Sequence, residues 1–153
     1  MYRAWIVVLL VASVGQLQAQ TTETEVIEAA RQSCADLDSG EFSASDDAVK
    51  YVDLNGDGEQ DILVDEGQFA CSTSTSLFSP TGGAQLHAIV GDDHDVWMAQ
   101  AWRLVDWGED TILLLAEHGS RCGGYGYQHC YEAIVWSDDG AMTVRGAEDT
   151  IEE

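Results

Sequence analysis

Apolar residues along this chain follow two rhythms. Val26, Ile27, Ala30, Cys34 and Leu37 recur at helical spacing, which places them on one face of an amphipathic helix. Just upstream, Thr22-Glu23-Thr24-Glu25 has the form of a capping box, a hydroxyl three residues before a carboxylate, able to satisfy two orphaned N–H groups. Ser39-Gly40 supplies the stop. Beyond it the period shortens, and residues 49–54, 61–64, 86–90, 96–105, 111–117, 131–136 and 141–145 read as strands. Turn chemistry separates them at Asn55-Gly56-Asp57-Gly58, Gly91-Asp92-Asp93, Asp106-Trp107-Gly108 and Asp138-Asp139-Gly140. No second long helix interrupts the strands, so parallel crossovers are disfavoured. The expected fold is α+β: an N-terminal helix packed on an antiparallel, meander-like β-sheet. At 153 residues and 45% hydrophobic, the chain has room for one domain with a packed core.

The two ends of the pattern differ. Met1-Tyr2-Arg3 is a short basic region, residues 4–15 are apolar apart from Ser13, and Gln16-Leu17-Gln18-Ala19 offers a small residue at a cleavage point. That is the three-part form of a secretory signal peptide. The apolar run falls short of the roughly 20 residues that span a bilayer; an uncut anchor helix is the competing reading. Residues 1–19 are therefore expected to be a leader and residues 20–153 a single exported domain, periplasmic or extracellular, with no membrane insertion once the leader is gone.

Export changes how the cysteines read. Cys34, Cys71, Cys122 and Cys130 all lie beyond the leader, and an even number in an oxidising compartment predicts two disulfides. Three pairings are available. Closing the shorter loop costs less entropy, which favours Cys122 with Cys130 and leaves Cys34 with Cys71. The first bridge would clamp Gly123-Gly124-Tyr125-Gly126-Tyr127-Gln128-His129, a segment otherwise floppy. Tyr125 and Tyr127 would then be exposed anchors of a candidate recognition loop, with few rotamers to lose. A plain staple with inward tyrosines is the alternative.

The sharpest motif is Asp53-Leu54-Asn55-Gly56-Asp57-Gly58-Glu59-Gln60-Asp61. Side-chain oxygens stand at loop positions one, three, five and nine, with glycine at six. Calcium wants six to eight oxygens, and such a loop can wrap them around one point. Asp53, Asn55, Asp57 and Asp61 would contribute side chains and Glu59 its carbonyl. The loop resembles the short calcium loops of FG-GAP/VCBS-type repeats and, less completely, an EF-hand, since Val64 stands where the bidentate glutamate belongs. The resemblance covers about a dozen residues and implies a calcium site, not an overall fold. The competing reading is a polar turn, because Asn-Gly and Asp-Gly are favoured turn dipeptides. Residues 51–69, with the Ser/Thr-Gly segment after them and residues 118–124, are also similar to small exported bacterial proteins, which implies no activity.

Charge narrows the partners. Against 28 acidic residues stand 6 basic ones, a formal net charge of -22. Phosphate backbones and anionic lipid surfaces are repelled by such a field, and a cationic protein partner is favoured. Other chemistry is thinner. His118, Cys122, His129 and Cys130 have the types for zinc but lack its recognised spacings. His118 with an unidentified carboxylate would be the core of a small hydrolase. Trp97, Trp102, Trp107 and Trp136 read as core packing ahead of a sugar surface. The reading favoured is a calcium-binding, disulfide-stabilised, non-enzymatic binding or structural domain.

Overall fold

A computed structural model describes residues 14–108, 110–128, 130–137 and 140–145. Residues 1–13 of the expected leader, His129 and Asp138-Asp139, where a turn was expected, lie outside these. The α+β expectation holds, with one long helix packed on antiparallel sheets. Helix α1 (Val14–Asp36) is longer than its capping box predicted. It runs through Thr22 without a break, because nothing between Gln16 and Thr22 is a glycine or proline that would stop it. Thr22 therefore sits inside the helix in the full chain, and the box is not its start. Val26, Ala30 and Cys34 are buried as expected, whereas Leu37 is exposed.

Ten strands follow among the described residues, and every ladder is antiparallel. A short ribbon pairs β1 (Phe42–Ala44) with β4 (Phe69–Cys71). One four-stranded sheet has β2 (Val49–Val52), β3 (Asp61–Asp65), β5 (Ala84–Val90) and β6 (Asp93–Ala99) in that order. The other runs β10 (Gly140–Arg145), β9 (Cys130–Ser137), β8 (Asp110–Glu117), β7 (Ala101–Trp107). The single strand expected over residues 96–105 is in fact the passage between sheets: β6 ends at Ala99, Gln100 intervenes, and β7 begins at Ala101. Gln100 keeps its N–H on Ala116 O at 2.8 Å, so the ladder with β8 continues through the bend. Gly83, with φ at +113°, backs onto this corner, where a Cβ would stand 2.5 Å from the Ala99 carbonyl. Only glycine fits there.

Two cores result. One face of the first sheet buries Ile62, Val64 and Ile89 against Val26, Ala30 and Cys34 of α1. Phe42, Phe69 and Phe78 close that core edge to face at 5.1–5.8 Å. The opposite face buries Leu63, Leu86 and Ala88 against Leu113, Leu115, Ile134 and Trp136 of the second sheet. The order is helix, sheet, sheet. Strand β3 is buried on both faces, which is why its sequence reads as a continuous apolar run. Cys34 and Cys71 are bonded, tying the end of α1 to the ribbon. Among the described residues no helix is long and apolar enough to cross a membrane.

Candidate functional site

Cys122 and Cys130 are bonded to each other, eight residues apart. The segment they close is well ordered by its own backbone. Residues 119–122 form a single 3₁₀ turn that Gly123 ends in the left-handed conformation, φ 77°. Gly124 N donates to Gly119 O at 3.0 Å, Gln128 N to Tyr125 O at 2.9 Å, and Tyr125 N to Gln128 Oε1 at 2.6 Å. Gly119 is buried beneath this chain, and a Cβ there would collide with the Tyr125 carbonyl oxygen. Held in this frame, Tyr125 and Tyr127 are 71% and 83% exposed. Their rings lie parallel, interplanar angle 1°, with centroids 5.8 Å apart. Both the bond and the exposure match the sequence expectation.

His118 enters the same turn and faces no carboxylate among the described residues. Its Nδ1 lies 2.7 Å from Ser120 Oγ, and Gly126 packs so closely on its Nε2 edge that a Cβ would collide. The neighbouring Glu117 is buried and pairs with Arg121 at 3.2 Å. The zinc alternative fails on chemistry, since both its thiolates are spent in the disulfide.

The acidic loop joins β2 to β3. Asp53 accepts from Gly56 N at 2.7 Å and Gly58 N at 2.9 Å, Asn55 Oδ1 from Asp57 N at 3.1 Å, and Asp57 Oδ1 from Glu59 N at 2.7 Å. Asn55 Nδ2 donates to Asp57 Oδ2 at 2.8 Å. Gly56 and Gly58 adopt φ of 77° and 84°, the left-handed values that such a wrap requires. Asp61 is buried, and its Oδ2 accepts from Leu54 N at 2.8 Å. Burial is the main force raising its carboxyl above the ordinary value, and the charges of Asp57 and Asp53 add to it. As folded, the loop's oxygens serve backbone amides. Among the described residues no group of three or more His, Cys, Asp or Glu side chains is gathered to hold a metal ion. The donor types nevertheless suit a hard cation, and the buried Asp61 beside two further carboxylates is the feature a cation would relieve.

One cluster was not anticipated from the sequence. His87 is buried on β5, with Nε2 3.1 Å from Glu66 Oε1 and Nδ1 3.0 Å from Nε2 of His94 on β6. A carboxylate only accepts, so His87 Nε2 donates to Glu66, and a neutral His87 then accepts from His94 through Nδ1. Burial, and next the proximity of His87, hold His94 below its ordinary value of 6.5, against the opposing pull of Asp95 and Glu25. The chain Glu66–His87–His94 opens on a cavity of about 510 Å³ between α1 and the first sheet, which Glu25 and Phe78 also line. The available signal was the tight turn at Gly91: with Val90 opposite Asp93 and Ile89 opposite His94, residues 87 and 94 share a face diagonally. Nothing in the sequence pointed to Glu66.

The tryptophans divide. Trp97 and Trp136 meet edge to face at 6.0 Å in the inter-sheet core, Trp102 is half-buried, and Trp107 is 70% exposed. Core packing accounts for the first two and, at the margin of the same core, for Trp102, but not for Trp107. No family model, no curated protein and no solved structure matches the chain.

Proposed function

We propose that this is an exported, non-enzymatic binding domain that presents the Cys122–Cys130 loop to a cationic protein partner. The parallel, exposed Tyr125–Tyr127 pair on a disulfide-closed loop supports this reading most. Ordering a free glycine-rich loop on a partner would cost roughly 1–2 kcal/mol per residue fixed. The bridge and the bonds around Gly119 meet much of that cost before contact. Tyrosine adds broad amphipathic area with two rotatable bonds. A net charge of -22 steers a basic surface toward it. The test is site-specific photo-crosslinking in the producing cell, with the probe at Tyr125 and, as a control, at the exposed Trp107. The expected result is one predominant product from position 125, with a yield that falls as salt rises. Identical products from both positions, or none, would remove the recognition role.

Calcium is the expected stabiliser of the same domain, held by Asp53, Asn55, Asp57, the Glu59 carbonyl and Asp61. The ion would relieve the buried charge of Asp61. Without a twelfth-position glutamate the affinity should be modest, roughly 10⁻⁴ to 10⁻³ M. Calorimetric titration with calcium chloride should show one site that Asp57→Ala abolishes. A melting curve unmoved by excess chelator would sink the ion.

A small hydrolase remains the second reading, and the geometry moves it away from His118. Among the described residues, carboxylate, imidazole and cavity come together at Glu66, His87 and His94. There His94 is suited to take a proton from a bound water and pass charge to His87 beside Glu66. Turnover of p-nitrophenyl acetate that His94→Gln leaves unchanged would end that reading.

A further inference from the structure

A cleft of about 690 Å³ opens where the two four-stranded sheets diverge at the Gln100 bend, lined by Lys50, Arg103, Trp102, Asp65, Asp47 and Gln100 among others. Its volume falls within the usual range for small-molecule sites. Trp102 is fixed in its wall: the indole N–H donates to Asp65 Oδ2 at 2.8 Å, and Asp65 Oδ1 accepts from Gly67 N at 2.8 Å. Asp65 is thereby held in place by both of its oxygens, as a carboxylate in the cleft wall. Lys50 lies over the Trp102 ring with its ammonium 5.6 Å from the centroid, a cation held by an aromatic face instead of a carboxylate.

The distribution of cations sets this cleft apart. The structure describes four basic side chains. Arg31 pairs with Glu28 and Arg121 with Glu117, both at 3.2 Å. Lys50 and Arg103, the two that line the cleft, have no carboxylate within 4.0 Å among the described residues. In a chain with 28 acids, partners for every cation were plentiful. Among the described residues neither makes a direct ion pair even though Asp47 and Asp65 line the same cleft, so both ammonium and guanidinium are open to a negative group brought by a ligand. The rest of the lining is the Trp102 ring, the carboxylates of Asp47 and Asp65, two amides, a serine, Leu104 and small residues, a mixed polar surface that suits hydroxyls and a C–H face more than a hydrocarbon tail.

We infer that the cleft binds a small sugar acid of the uronate type. Its carboxylate is held by Lys50 with Arg103 nearby, its hydroxyls meet Asp47 and Gln100, and a ring face lies against Trp102. The site is separate from the tyrosine loop and does not depend on its role. The test follows the Trp102 indole N–H in ¹H–¹⁵N spectra, assigned with Trp102→Phe, while the oxidised protein is titrated with glucuronate, glucose and acetate. Glucuronate should shift that resonance and bind roughly tenfold tighter than either control, about 1.4 kcal/mol. Lys50→Gln should reduce glucuronate to the level of glucose, and Arg103→Gln should weaken it less. No shift with glucuronate at about 10 mM, equal binding of glucose, or an unchanged Lys50→Gln titration would overturn the proposal. Acetate binding as tightly as glucuronate would overturn the sugar assignment.

Discussion

The two disulfides staple regions built for different ends. Cys34–Cys71 lies wholly inside: both cysteines are buried, and the surrounding packing is so close that a Cβ on Gly40 would stand 2.6 Å from Cys34 O and Cys71 Sγ. Around it, α1, the ribbon and three phenylalanines share one core. Cys122–Cys130 lies at the margin, with Cys130 buried on β9 and Cys122 exposed. Its described residues are joined by backbone hydrogen bonds, and its two tyrosine rings are exposed. The first bridge reinforces a core that also exists through burial. The second stands in for a core, and so leaves its aromatic surface available.

That contrast can be broken in graded steps. The chain-entropy account gives about 4 kcal/mol for the 37-residue closure and about 2.5 kcal/mol for the 8-residue one. In urea unfolding, Cys34→Ser with Cys71→Ser should therefore cost more than Cys122→Ser with Cys130→Ser. Only the second pair should abolish crosslinking through Tyr125. If the short bridge proves the costlier, the difference between reinforcement and substitution is wrong. Gly119→Ala comes next, at about 1–3 kcal/mol for forcing a methyl into the Tyr125 carbonyl. The loss should appear as faster amide exchange confined to residues 119–128, with the α1 core unaffected.

The pH response sharpens the same comparison, because the titrating imidazole of His94 borders the cavity beside α1 and not the loop. His94 is held below 6.5 in the folded protein. As pH falls past 6.5 the unfolded chain takes up this proton first. Stability should drop through that window and level off once folded His94 is itself protonated. His94→Gln should flatten that slope, as read from urea midpoints across the range. An equal slope in the variant would place the proton elsewhere. The smallest effect expected is that of Tyr125→Ala with Tyr127→Ala, within about 0.5 kcal/mol of wild type, because rings so exposed bury little. A larger loss would mean that the pair holds the loop together and does not merely decorate it.

What could be read from the sequence was whatever is local in the chain. The helix face at Val26, Ala30 and Cys34, most strand positions, and the closure of Cys122 on Cys130 are matters of period, turn chemistry or short-loop entropy. The helix start was missed because the residues just before Thr22 favour helix as well as those after it do. The ribbon was missed because three-residue strands carry almost no periodicity. The division into two sheets was hidden in a single uninterrupted run, residues 96–105, where only Gln100 marks the bend. Both cavities depend on residues far apart in sequence, Glu66 with His94 and Lys50 with Trp102, whose meeting follows from sheet order and register.

The bend at Gln100 has a consequence for the timing of events in the neighbouring cleft. One of its walls is the corner from β6 into β7, laddered on both sides of the turn and backed by Gly83 against the Ala99 carbonyl, and the facing wall includes Asp47, Lys50 and Asp65. Moving that corner would break ladder bonds in two sheets at once. A molecule entering there meets a corner already shaped before it arrives, so differences between ligands should show in how long they stay more than in how fast they come.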